Sequence, residues 1–303
     1  MKIYDCFIFY NEFELLEFRL KALYNLVDYF VIVESNRTFT NKVKKCNFID
    51  RADDFKQFFS KIKYVNVDLS GINYQGIGDW SIEIAQRNAI SEGLKDADPE
   101  DLIFISDLDE FPSPMVVDKI NDNTLPIIIN CILPTPPPIK SLNARNVSIP
   151  CQSLIPSIKF LDFSPISLHQ QLHYYYLDWV SPTPWFGTVI CKFKNFTTPQ
   201  KLREMRTILP RVPNGGYHFS YMGGVDRIIE KMTSIVDGNE LVVKSNDDII
   251  DREHVKQTMQ SGKDLYKRDI FKDCLHCKIE DIKLPYVREF VEKYPQFWKN
   301  KIL

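Results

Sequence analysis

The chain has 303 residues, enough for one large α/β domain. Hydrophobic residues make up 44%, charged residues 26%, and the formal net charge is −2, a balance that excludes a global electrostatic pull toward nucleic acid or lipid. No run of 18 apolar residues is present, so no membrane-spanning helix is expected, and seven scattered cysteines suit reduced thiols in a cytoplasmic compartment better than a disulfide framework.

The first hundred residues alternate strand and helix. "KIYDCFIFY" is apolar and β-prone; Asp5 interrupts it and no small-residue cleavage site follows, so it is a first strand rather than a signal peptide. Phe13, Leu16, Leu20 and Leu23 then recur at helical spacing. "DYFVIVES" and "IKYVNVDL" are the next strands, "SIEIAQRNAISEGL" is helical, and "DLIFISD" is a fourth strand. Apolar strands separated by helices predict a mostly parallel sheet covered on both faces, with ligands at the C-terminal strand ends.

The middle changes character. "LPIIINCILPTPPPIK" is a strand running into Pro134 and Pro136 to Pro138, and Pro150, Pro156 and Pro165 follow, which predicts loops and edge strands. "HQQLHYYYLDWVSPTPWFGTVICKF" is aromatic and strand-like. From Val225 the chain turns helical in "VDRIIEKMTSIV", "DREHVKQTMQSG" and "LPYVREFVEKYPQFW". Without repeat or linker, the chain reads as one domain, with an α/β half (1–120), a middle of strands and loops (121–224) and a helical C-terminal portion (225–303).

The segment most suggestive of chemistry is "LIFISDLDEFP". A buried strand ends in Asp107, Asp109 and Glu110, three carboxylates in four positions. Like charges this close raise one another's pKa unless a cation sits among them. Mg²⁺ or Mn²⁺ is a natural partner, because hard ions take carboxylate oxygens and keep positions open for phosphates. The plainer alternative is a solvated acidic turn. In "NGGYHFSYMGG" four glycines imply tight backbone or close approach to a ligand, and His218 is either a further metal ligand or a satisfied core histidine. Glu83 and Arg87 share a helix face, so Arg87 either meets a phosphate or simply pairs with Glu83. The rings of Tyr174, Tyr175, Tyr176, Trp179 and Trp185 suit sugar faces, but packing is their commoner use. Cys274 and Cys277 flank His276 with no second pair at zinc spacing.

Taken together these segments resemble glycosyltransferase family 17. "YDCFIFYNEFELLEFRLKALYNLVDYFVIVESNRTFT" is similar to the family's opening, and Trp80, Glu83, Gln86, Arg87 and Asn88 match a second motif. "ISDLDEFP", "GGYHFSYMGG", "SGKDLYKR" and "LPYV" continue the likeness, with Tyr217 where the family usually has Trp. Departures are Asn41 and Val43 around Lys42, Asp237, and the stretch from Asn121 to Pro165. The resemblance implies a GT-A-type α/β/α sandwich and an inverting transfer from a nucleotide sugar, with UDP-N-acetylglucosamine the expected donor and a glycan the acceptor. It places Mn²⁺ or Mg²⁺ on Asp107 and Asp109, with His218 as a further ligand. Arg87 and Lys231 would face phosphates, and Asn11 and Glu34, at the first two strand ends, the nucleoside. Asp226 and Glu110 are the candidates for the catalytic base. Two rivals remain: a sugar nucleotidyltransferase, although "FYNEFE" lacks its glycine-rich loop, and a non-catalytic glycan-binding protein, which leaves the acidic strand end unexplained.

Overall fold

The structure, a computed structural model, describes residues 1–132, 148–152, 155–245, 248–266 and 273–300. The proline cluster Pro134 and Pro136 to Pro138 lies outside the described residues.

The N-terminal strands are β1 (Ile3–Ile8), β2 (Tyr29–Ser35), β3 (Ile62–Val67) and β4 (Leu102–Asp107). They lie in the order β3-β2-β1-β4, all parallel. Every residue of β1 is buried, which is why its sequence is a continuous apolar run rather than an alternating one. Successive side chains serve opposite faces. Phe7, Phe30, Ile32 and Phe104 meet Leu16 and Leu20 of α1 (Phe13–Leu23) and Phe290 of α10 (Val287–Lys293). Cys6, Val31, Val33 and Ile105 instead meet Ile90, Leu94 and Leu202. Two short helices, α2 (Asn47–Asp50) and α3 (Ser81–Asn88), lie between β2 and β4.

After β4 come β5 (Glu110–Pro112), α4 (Pro114–Asn121), β6 (Ile128–Ile132), β7 (Ser148–Gln152) and α5 (Ser157–Leu161). Then follow β8 (Ile166–Tyr174), β9 (Trp179–Val180), β10 (Trp185–Lys192), α6 (Pro199–Glu204) and β11 (Arg211–Ser220). The sheet continues as β4-β10-β8-β11-β6-β7, and a short β12 (Leu275–His276) pairs with β9.

The sheet is mixed, not mostly parallel as the sequence suggests. β10 is antiparallel to both β4 and β8, and β6 to β11 and β7, while β8 and β11 are parallel. Only residues 175–184 separate β8 from β10, fewer than the dozen or so that a parallel crossover requires.

The helical C-terminal portion holds α7 (Val225–Ser234), α8 (Val236–Lys244) and α9 (Arg252–Ser261). Ile228, Met232, Val242, Val255 and Met259 from these helices pack on Tyr174, Tyr175 and Trp179. Those three rings are therefore core, the commoner use of aromatics. Among the described residues no helix is long and apolar enough to cross a membrane.

Candidate active site

The chain leaves β1 for β2 on one side and later returns to β4 on the other, so β1 and β4 part at their C-terminal ends. This is the position where open α/β sheets bind ligands. Ile8 and Asp107 are in register there. The turn beyond, Asp107 to Glu110, is pinned from beneath by Arg19 of α1. Its Nη1 donates to the carbonyls of Leu108 (2.9 Å) and Glu110 (2.6 Å), with a longer contact to that of Asp107 (3.2 Å). The same guanidinium forms a fully buried fork with Asp5, at 2.6 and 2.8 Å. A buried bidentate pair of this kind is geometrically specific; here it fixes where three carboxylates emerge.

β11 closes the turn from the other side. His218 pairs with Glu110 across the β5–β11 ladder, and Phe219 N–H donates to the Asp109 carbonyl at 2.8 Å. The approach is close enough that a Cβ on Gly216, at φ 146°, would meet the Phe111 carbonyl oxygen at 2.0 Å. The second glycine of "NGGYHFSYMGG" thus serves a backbone-to-backbone contact.

Each carboxylate has its own environment. Asp107 accepts from Arg87 on Oδ1 (3.1 Å) and Arg203 on Oδ2 (2.7 Å). Burial would raise its pKa, but Arg203 and Arg87 more than offset this and hold it well below the usual range. Asp109 accepts from Lys231 Nζ on Oδ2 (2.8 Å), and His218 Nε2 lies 3.3 Å from Oδ1. Burial opposes ionisation there too, yet Lys231 and His218 hold the carboxyl far below its ordinary value. Lys231 is raised in turn, because Asp109 outweighs the cost of burying its ammonium. Glu110 is fully buried and saturated: it accepts from both Nη atoms of Arg203, from Trp185 Nε1 (2.5 Å) and from the Asp107 amide (3.1 Å).

The structure thus brings together Arg87, Asp107, Asp109, Glu110, His218 and Lys231, and leaves three of the sequence candidates elsewhere. The Asp226 carboxylate is 79% exposed at the start of α7 and is ion-paired to Arg252. Glu34 is buried and holds the start of α2 through the amides of Asn47 (2.6 Å) and Phe48 (3.0 Å), while pairing with Lys44 (2.8 Å). It anchors a helix N-terminus, as an acidic group does well. Asn11 donates its amide to Glu230 and accepts from Arg227 on its carbonyl, so it fastens α7 to the end of β1. Reading the sequence misses Arg19, Arg203 and the position of Trp185. Arg203 and Arg206 fall three apart after an apolar strand, a faint cue to a shared face.

The donor set suits a hard divalent cation with few protein ligands. Among the described residues no three His, Cys, Asp or Glu side chains group to hold a metal alone. Asp109 and His218 nevertheless face one another, His218 Nδ1 is a buried nitrogen with no hydrogen-bond partner, and the Lys231 ammonium already occupies a cation position on Asp109. One or two carboxylates, completed by water and substrate phosphates, is how Mg²⁺ is commonly held.

Residues 1–130 match the model of glycosyltransferase family 17. No curated protein matches the chain. The match covers "ISDLDEFP" and the second motif and stops before "GGYHFSYMGG". Over these residues the chain is similar to the family, and the match supports a glycosyltransferase, which implies a sugar donor and a glycan acceptor.

Proposed function

We propose, starting from the similarity of residues 1–130 to glycosyltransferase family 17, that this glycosyltransferase is an inverting, metal-dependent enzyme of GT-A type. In this reading it transfers N-acetylglucosamine from UDP-N-acetylglucosamine to a glycan. One observation carries the metal-dependent part: Asp109, His218 and Lys231 converge at the C-terminal end of β4.

Asp109 and His218 would hold the ion, with Asp107 the second carboxylate of the pair. When bound, the ion offsets the negative charge of the departing diphosphate. Arg87 and Arg203 keep Asp107 ionised and aimed, and Lys231 turns its ammonium from Asp109 toward a donor phosphate. Glu110 sets Arg203 and Trp185 in place rather than taking a proton, since both of its oxygens already accept charged or N–H donors.

A thermal-shift screen of nucleotide sugars with and without Mn²⁺ tests the proposal. A Mn²⁺-dependent rise with a UDP-sugar, lost in Asp109→Ala, is expected. An identical response in EDTA overturns metal dependence. Release of pyrophosphate from a sugar phosphate and a nucleoside triphosphate would favour a nucleotidyltransferase, and glycan binding without donor turnover a binding module.

A further inference from the structure

Three of the cations around the strand end have carboxylate partners. Arg87 pairs with Glu83 and Asp107, Arg203 with Asp107 and Glu110, and Lys231 with Asp109. Arg206 differs. It lies one turn beyond Arg203, past the end of α6, and its Nη1 donates to the Arg203 carbonyl at 3.2 Å. Its guanidinium carbon lies 5.7 Å from the centroid of the Trp185 ring, the same indole that donates to Glu110 and stands 4.6 Å from the His218 ring. Among the described residues no carboxylate comes within ion-pair distance of it.

This is an unfavourable place for an unpaired cation. The side chain is half-buried, which removes water from a charged group. Burial first, and the adjacent positive charge of Arg203 second, lower its pKa, and the opposing effects of Glu110 and Asp107 do not reverse this. A guanidinium carries five N–H donors in a planar fork matched to phosphate oxygens. Held on an indole beside the acidic strand end, it is complementary to an anion that the free protein lacks.

We propose that Arg206 binds a phosphate of the nucleoside diphosphate donor, completing its ion pair only when donor is bound. This rests on the glycosyltransferase reading above and adds a residue beyond those matched to the family, which end at 130. Trp185 serves as its platform: the Nε1 bond to Glu110 fixes the indole and thereby the reach of the guanidinium.

The test is titration calorimetry in Mn²⁺ with UDP, GDP and dTDP and with the matching nucleosides, on wild type, Arg206→Ala and Arg206→Lys. For the diphosphate that wild type binds best, Arg206→Ala should weaken binding about 10- to 100-fold, the range of a lost charge-assisted pair. The lysine variant should lie between, and nucleoside binding should not change. Melting of the ligand-free protein separates a structural role, since removing an unpaired cation beside Arg203 should leave the midpoint unchanged or raise it. Equal diphosphate affinity in folded Arg206→Ala overturns the proposal, as does an equal loss for nucleoside and diphosphate. Failure of wild type to bind any of the three diphosphates overturns the donor reading itself.

Discussion

The two halves of the sheet solve opposite problems. The parallel half, β3-β2-β1-β4, is buried on both faces through β2, β1 and β4 and ends in carboxylates. The half built around β10, β8 and β11 supplies most of the groups that answer them: Trp185 at the start of β10, Arg203 and Arg206 beyond it, His218 on β11 and Lys231 on α7. Neither half holds a working site. The anions without their partners would repel one another, and the cations without the anions would have no reason to converge. The seam where β4 meets β10, and β5 meets β11, therefore does chemical as well as structural service.

Two buried arginines break this comparison most sharply. Arg19 ties the turn from inside the parallel half, and Arg203 ties it from across the seam. Removing one partner of a buried pair costs about 3–5 kcal/mol, because the other charge is stranded. Arg19→Met and Arg203→Met should each lower stability by about that much in urea unfolding. They should differ in a second readout. Arg19→Met strands Asp5 and frees the carbonyls of the turn, whereas Arg203→Met takes a direct charge partner from both Asp107 and Glu110, so the latter should alter nucleotide-dependent stabilisation more once scaled for lost stability. Indistinguishable ligand responses would refute a seam that shares charge between the halves.

Asp109→Asn comes next. It keeps shape and removes the charge on which Lys231 and His218 converge. Transfer should fall about 10²–10³-fold, the usual cost of losing one preorganised electrostatic contact. Unfolding should stay cooperative; transfer at the wild-type rate would mean that Asp109 has no part in the reaction.

The halves should also differ in acid. All five histidines lie at position 169 or later. His173 is fully buried, and burial pushes its pKa down from the ordinary 6.5 to about 4 despite a hydrogen bond to the Leu177 carbonyl. Its folded pKa is depressed, so the neutral ring is the form that fits, and protons bind the unfolded chain first. Stability is then complete above about pH 6.5 and is lost as pH falls from there to about 4, by about 3 kcal/mol in all. Asp107 and Asp109, whose pKa values are depressed below the ordinary aspartate range, add their loss only near and below about pH 4. Urea midpoints at pH 7 and 5 should diverge in wild type and converge in His173→Gln. An unchanged pH slope in that variant would place the acid sensitivity elsewhere.

How far the sequence could be read follows the same division. β1, β2 and β4 announce themselves because strands buried on both faces must be apolar throughout, and their ends mark the acidic turn. The strand β11 is harder to see: Gly215 and Gly216 break its pattern, yet they are there because Leu168 of β8 crowds the first and the β5 backbone runs against the second. Glu34 and Asn11 sit at strand ends as expected, but strand ends also need helix anchors, and spacing cannot tell an anchor from a ligand. The antiparallel half defeats pattern reading for a physical reason. Its pairing depends on short connections and long-range register, which leave no period in the chain.

Asp226 gives the smallest expected effect and the closest test of that limit. From sequence it stands just past a glycine turn, at the opening of a helix, where an ionised carboxylate is favoured and a base could sit. In the structure its carboxylate points to solvent and pairs with Arg252, which holds its pKa below the ordinary value; burial opposes this only weakly. An exposed pair of this kind adds little to stability and is screened by salt. It contacts none of Asp107, Asp109, Glu110, Arg203 or Lys231. Asp226→Asn should therefore leave the unfolding midpoint essentially unchanged and transfer within about threefold, since surface substitutions away from packed or charged networks do little. Loss of a general base would instead cost about 10²–10⁴-fold in transfer with donor affinity kept. A loss of that size in Asp226→Asn would return the base to α7, and would require the helix to turn toward the seam when both substrates are bound.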